Sequence, residues 1–112
     1  MRKLLFIVPL ALAGCGGSDG APPITPPGSG AEVFTPGNVF SPFNTTISLG
    51  GSVTFVISGN AHNVIFAPTP AGAPANINVV SNTSVARTFN TRGTFPYDCT
   101  VHPGMSGQVV VQ

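Results

Sequence analysis

Side chains that could do chemistry are scarce in this sequence of 112 residues, and several of them lie close together near its C-terminus. The chain has two His, two Cys and two Met, and charged residues make up only 6% of it. Cys99, His102 and Met105 follow one another at intervals of three residues, and the other histidine, His62, lies far earlier. Imidazole, thiolate and thioether groups are all transition-metal ligands. The residue types therefore point first to a metal site.

Two imidazoles, one thiolate and one thioether are the ligand types of a blue copper site, in which the thioether is a weak axial ligand. Apart from Met1 and Cys15, which belong to the N-terminal segment, the four residues of those types are His62, Cys99, His102 and Met105. A C-x2-H-x2-M loop between two strands can direct three side chains to one centre. Pro103 and Gly104 permit the tight turn that this loop needs. The fourth ligand must then come from a distant strand.

Composition excludes several other classes of protein. A formal net charge of +1 with so few charged residues excludes a nucleic-acid-binding surface, which needs a basic face. The sequence has no paired carboxylates for acid–base catalysis, and four ligands leave no open position for a substrate. We therefore expect no enzyme. Two other functions remain open from the residues: a copper chaperone or buffer, and a structural β-sandwich without metal.

The N-terminus has the pattern of an export signal. Two cations, Arg2 and Lys3, precede an apolar run over residues 4–13, which is too short to cross a bilayer about 30 Å thick. The run ends in Leu-Ala-Gly-Cys15, which resembles the bacterial lipobox. That resemblance implies cleavage before Cys15, its lipidation, and anchoring on the periplasmic or cell-surface side of a membrane. Gly16 after the cysteine favours the outer membrane. Without residues 1–14 the formal charge falls from +1 to −1.

The sequence divides into a signal peptide (1–14), a lipidated Cys with a Gly/Pro/Ser-rich linker (15–31), and one domain (32–112). Val, Ile, Phe, Thr and Tyr dominate the domain, which favours strands over helices. The pattern predicts an all-β fold, a Greek-key antiparallel β-sandwich of seven to eight strands. The predicted strands are 32–34, 45–49, 52–58, 62–67, 77–80, 84–89, 93–99 and 107–112.

The domain resembles the small cupredoxins of the plastocyanin/amicyanin type over residues 38–112. The segments 46–55 and 62–66 look like the first half of that family, and 93–107 looks like its ligand loop. Two residues between His102 and Met105 match the short loop of the amicyanins. The resemblance implies one type 1 copper ion that cycles between Cu(I) and Cu(II). It implies four ligands: His62, Cys99, His102 and Met105.

The resemblance also implies supporting roles and a partner. Asn63 is expected to hydrogen-bond to the backbone beside Cys99, and His102 is expected to lie near the surface. The protein would carry single electrons as a tethered monomer, and a redox protein would dock transiently near His102. The proposed docking patch consists of Pro103, Gly104 and loop residues such as Phe43 or Pro68.

Arg87 and Arg92 are expected to lie in solvent. Docking should depend little on salt because charges are few.

Overall fold

The computed structural model describes residues 30–112, and this part of the chain contains eight strands joined by short connections. The signal peptide, Cys15 and the linker before Gly30 lie outside these residues. The strands are β1 (Gly30–Phe34), β2 (Asn44–Ile47), β3 (Ser52–Ile57), β4 (His62–Phe66), β5 (Ile77–Val80), β6 (Thr83–Thr88), β7 (Gly93–Asp98) and β8 (Ser106–Val111).

The strands form two sheets, and the predicted all-β sandwich is confirmed. One sheet has the order β1-β3-β6, and the other has the order β2-β8-β7-β4-β5. Four strand pairs are antiparallel, whereas β1–β3 and β2–β8 are parallel. β1 begins at Gly30 and so includes two residues, Gly30 and Ala31, that the sequence interpretation assigned to the linker. Within residues 30–112 no helix is long and apolar enough to cross a membrane.

Alternation of side chains along the strands builds the core between the sheets. In β3, Val53, Phe55 and Ile57 are buried, while the residues between them are partly exposed. In β8 the buried positions include Val109 and Val111. Apolar residues at every second position of a strand share one face, so each sheet directs one apolar face inward.

Tyr97 on β7 lies at the centre of this core and is 1% exposed. Its ring makes edge-to-face contacts with Phe40, Phe55 and Phe66 at centroid distances of 4.9, 5.2 and 5.8 Å. Gly107 on β8 leaves room for the phenol, because a Cβ there would lie 2.5 Å from the Tyr97 oxygen. This packing fixes the end of β7 that leads into Cys99.

The strand directions give the sandwich two distinct ends. β4 is antiparallel to β7, so the start of β4 lies beside the end of β7. The connection from β3 to β4 and the connection from β7 to β8 therefore lie at the same end of the sandwich, here called the upper end. The upper end carries the connections 35–43, 58–61, 81–82 and 99–105. The lower end carries the connections 48–51, 67–76 and 89–92. Gly30 pairs with Ser52, which places the start of β1 at the lower end.

Arg87 was expected to lie freely in solvent, but the structure shows it bonded to a neighbouring connection. Its guanidinium group donates hydrogen bonds to the Ala75 and Asn76 carbonyl oxygens, at 2.8 and 3.0 Å. The Asn76 side chain in turn accepts a hydrogen bond from the Phe66 N–H at 2.8 Å. Because Arg87 belongs to β6, these hydrogen bonds join the lower connection 67–76 to that strand.

Candidate metal centre

His62, Cys99 and His102 meet at the upper end of the sandwich. His62 is the first residue of β4 and follows a turn in which Gly59 has a φ of 71°, a conformation that glycine adopts without strain. Cys99 directly follows the last residue of β7. Both positions are set by the ends of adjacent strands in one sheet, since β4 pairs with β7. The strand pairing therefore brings together ligand types that are far apart in sequence.

The loop 99–105 is closed by its own backbone hydrogen bonds. The Cys99 N–H donates to the Met105 carbonyl at 2.8 Å, and the Met105 N–H donates to the His102 carbonyl at 3.1 Å. Gly104 has a φ of 84°, so glycine is needed at the turn that the sequence predicted there. The closed loop holds His102 beside Cys99 and returns the chain to β8 with Met105 buried, 2% exposed.

The candidate donor atoms form a small triangle. The Cys99 Sγ lies 3.8 Å from the His62 Nδ1 and 3.7 Å from the His102 Nδ1, and the two Nδ1 atoms are 3.2 Å apart. Each of the three atoms is one with which its side chain could bind a metal ion. Three such donors repel one another when no proton or cation lies between them, so the arrangement favours cation binding.

The triangle has the size that a metal ion requires. A point equidistant from its three corners lies about 2.1 Å from each, and metal–nitrogen and metal–sulfur bonds are about 2.0–2.3 Å long. Two imidazoles with one thiolate are the equatorial donors of blue copper sites. Both the donor set and the spacing therefore fit copper.

The site is mostly closed to water. His62 is fully buried, Cys99 is 3% exposed and carries a free thiol, and His102 is half-buried. Burial lowers the pKa of the His62 imidazole, as does the neighbouring His102, while the Gly37 carbonyl opposes this effect. A lowered pKa keeps His62 neutral near pH 7, and a neutral imidazole is the form that binds metal.

Asn63 makes the contact that was expected from the sequence. Its Oδ1 accepts a hydrogen bond from the Thr100 N–H at 2.8 Å, directly beside Cys99. Its Nδ2 also donates to the Thr100 Oγ1 at 2.8 Å, a second bond that the sequence interpretation did not include. The pair joins the residue after His62 to the residue after Cys99. It therefore fixes the distance between the two strands that carry the donors.

From the connection 35–43 the sequence interpretation assigned a role only to Phe43, and only in docking. Val39, Phe40 and Phe43 of this connection line a groove of about 290 Å³ beside Met105. This connection has no cysteine, histidine or charged residue. Nothing in its composition signals a role at the metal centre.

The structure places Phe43 and Pro68, the two loop residues named for docking, at opposite ends of the sandwich. Phe43 lies at the upper end, is 55% exposed, and lines the groove together with Gly104. Pro68 is wrong for this patch, because it follows the end of β4 and lies at the lower end, whereas His62 begins that strand. A five-residue strand separates the two positions by roughly 17 Å.

Comparisons with known proteins agree with this site. Residues 34–112 match the family described as copper-binding proteins, plastocyanin/azurin family. The chain belongs to this plastocyanin/azurin family. It is 34% identical over 85 residues to a plastocyanin from Scenedesmus fuscus, covering 66% of this chain and 87% of that protein. As in the family, the cofactor is copper.

Solved structures of other cupredoxins have the same fold. A reduced Cu(I) form of an amicyanin variant at pH 4 matches with a TM-score of 0.65 and 28% identity, over 72% of this chain and 80% of that one. A copper-containing nitrite reductase from Thermus scotoductus SA-01 matches with a TM-score of 0.67 and 24% identity. The match covers 72% of this chain but only 22% of the reductase chain, so it supports a shared fold alone.

Proposed function

We propose that this cupredoxin carries single electrons outside the cytoplasm and performs no catalysis of its own. The proposed copper ligands are His62, Cys99, His102 and Met105, with Met105 as the weak axial ligand. The observation that carries the proposal is the converging triangle of donors in a buried, already formed site. When bound, copper supplies a one-electron couple between Cu(I) and Cu(II).

Rigid support of the ligands suits electron transfer. The closed loop 99–105 and the Asn63–Thr100 pair hold the donors in place, so little rearrangement needs to accompany a change of charge. A copper chaperone or buffer has to release its metal, and a fully buried His62 with a nearly buried Cys99 opposes release. These features favour the electron carrier over the chaperone.

Exposed apolar side chains gather at the metal end. In the described part of the chain the exposed large hydrophobic residues are Phe34, Val39, Phe43, Val79 and Val101. Val79 lies on the edge strand β5, whereas Phe34, Val39, Phe43 and Val101 lie in or directly next to the upper connections 35–43 and 99–105. A partner that docks there meets an apolar surface, which suits the small contacts of transient redox complexes. We expect the association rate to change little with salt, because charges are few.

The two described arginines lie at the other end of the protein. Arg87 contacts the lower connection 67–76, and Arg92 belongs to the lower connection 89–92. Gly30 also lies at the lower end. A lipid-anchored Cys15 would therefore join the domain at the end opposite its metal centre. This arrangement leaves the apolar upper end accessible to a redox partner.

Rapid-mixing kinetics test the proposed function. The reduced, copper-loaded domain is mixed with an oxidised c-type cytochrome, and copper release to a Cu(I) chelator is measured separately. An electron carrier transfers its electron within milliseconds to seconds and releases copper far more slowly. Slow electron transfer with rapid, reversible copper release would instead support the chaperone.

A substitution at Cys15 tests the proposed lipid anchor. Cys15→Ser should move the full chain from the membrane fraction to the soluble fraction, and continued membrane association would contradict lipidation.

A further inference from the structure

The connection 35–43 folds back on itself over the metal centre. The Phe34 N–H donates to the Ser41 carbonyl at 2.7 Å, and the Ser41 N–H donates to the Phe34 carbonyl at 2.8 Å. These two bonds close residues 35–40 into a loop, here named the capping loop. Its Val39 and Phe40 line the groove beside Met105.

Thr35 fastens the capping loop to the turn before His62. The Thr35 Oγ1 accepts a hydrogen bond from the Ser58 N–H at 3.0 Å and donates one to the Ser58 carbonyl at 3.3 Å. Thr35 is only 1% exposed, so water has little access to replace these bonds. The other side-chain tie between the two segments is the exposed bond from Asn60 to Asn38, at 3.2 Å. Exposed bonds of this kind compete with water and contribute less.

The Thr35–Ser58 pair and the Asn63–Thr100 pair lie on either side of His62 along the chain. Each pair joins two neighbouring segments by two hydrogen bonds. Thr35 bonds twice to the Ser58 backbone, whereas Asn63 bonds once to the Thr100 backbone and once to the Thr100 side chain. Asn63 fixes His62 relative to Cys99, whereas Thr35 fixes the turn that leads into His62 relative to the capping loop. The His62 Nε2 makes no hydrogen bond within the described residues. The orientation of that ring therefore depends on the surfaces packed against it.

We infer that Thr35 is a positioning residue of the copper centre, which ties the capping loop beside Met105 to the turn that leads into His62 and so keeps both ligands oriented. This inference rests on the ligand roles proposed above. Loss of the Thr35 hydroxyl leaves the Ser58 N–H and carbonyl without their partner and frees the capping loop from the turn. The ligands then sample more orientations, which weakens copper binding and broadens the range of site geometries.

A pair of threonine-to-valine variants tests the inference. Thr35→Val removes a buried hydroxyl that makes two hydrogen bonds, and Thr45→Val removes a buried hydroxyl that makes none within the described residues. Both changes replace a hydroxyl by a methyl group of similar size. Copper affinity is measured by competition with a chelator, and site geometry is measured by the copper hyperfine splitting in the electron paramagnetic resonance spectrum.

We expect Thr35→Val to lower the copper affinity by about tenfold to a hundredfold, the usual effect of losing a group that orients a ligand. Its hyperfine lines should broaden or shift. Thr45→Val should match the wild type in both measurements, and Thr35→Ser, which keeps the hydroxyl, should restore most of the affinity. A merely structural Thr35 would lower the unfolding stability of the metal-free protein but leave the affinity and spectrum unchanged, and that result would overturn the inference.

Amide exchange in the wild type gives a second test that needs no variant. Copper binding should slow hydrogen exchange at the Ser58 amide as well as at the Thr100 amide, since both amides belong to segments that the bound site orders. Slower exchange at Thr100 with no change at Ser58 would overturn the role of Thr35. Failure of the wild type to bind copper would contradict the proposed function instead, so the two failures are distinguishable.

Discussion

Removal of the Asn63 side chain tests the link between the two ligand strands. Asn63→Ala deletes both hydrogen bonds to Thr100, whereas Thr100→Val deletes only the bond from the Asn63 Nδ2. A typical intramolecular hydrogen bond contributes about 0.5–1.5 kcal/mol net, and a buried donor left without a partner costs about 1–3 kcal/mol. We therefore expect a loss of about 2–3 kcal/mol for Asn63→Ala. Thr100→Val should lose about 1 kcal/mol.

Urea unfolding of the metal-free variants measures these losses directly. For a domain of this size 1 kcal/mol shifts the melting temperature by roughly 4–8 °C, so Asn63→Ala should melt roughly 8–24 °C below the wild type. The double variant should be no less stable than Asn63→Ala alone, because the bond lost in Thr100→Val is already absent. The resulting coupling energy is about 1 kcal/mol.

Two results would contradict the proposed link between Asn63 and Thr100. Equal losses for the two single variants would mean that the Thr100 N–H does not depend on Asn63. Additive losses in the double variant would mean that the two side chains do not interact. Thr45→Val serves as the control, since its buried hydroxyl has no hydrogen-bond partner within residues 30–112, and it should not lower the free energy of unfolding.

Three further substitutions test the packing and the docking surface. Gly107→Ala places a methyl group against the buried Tyr97 phenol and should cost about 1–3 kcal/mol in urea unfolding; a neutral result would contradict the described packing. Arg87→Ala should increase proteolytic cleavage within 67–76, because that connection loses its guanidinium contacts, and unchanged cleavage would count against the role of Arg87. Phe43→Ser should slow electron transfer to a cytochrome without changing the visible spectrum, whereas an unchanged rate would exclude Phe43 from the docking surface.

The ligand residues were identifiable from the sequence because their types are rare in it. Cys99, His102 and Met105 occur at regular spacing in one loop, and His62 is the only other histidine. The structure brings the thiol and both imidazoles together as expected. Asn63 was found by family resemblance, and its contact with the backbone of the residue after Cys99 is present.

The supporting contacts were not identifiable because their residue types are common. Thr35 is one of many threonines, and its role follows from the parallel pairing of β1 with β3, which brings it beside Ser58. Pro68 was misplaced because an apolar residue in a connection does not reveal which end of the sandwich it occupies. Arg87 was taken as solvated because its carbonyl partners come from an irregular segment without a pattern.

The visible absorption spectrum of the copper-loaded protein is the most direct test of the account. A buried thiolate with two imidazoles in one plane should give an intense blue colour from thiolate-to-copper charge transfer. Cys99→Ser should abolish the colour, while a control change at the lower end, Arg92→Gln, should leave it intact. A colourless copper complex of the folded wild type, or a blue colour that persists in Cys99→Ser, would contradict the type 1 copper centre proposed for this chain.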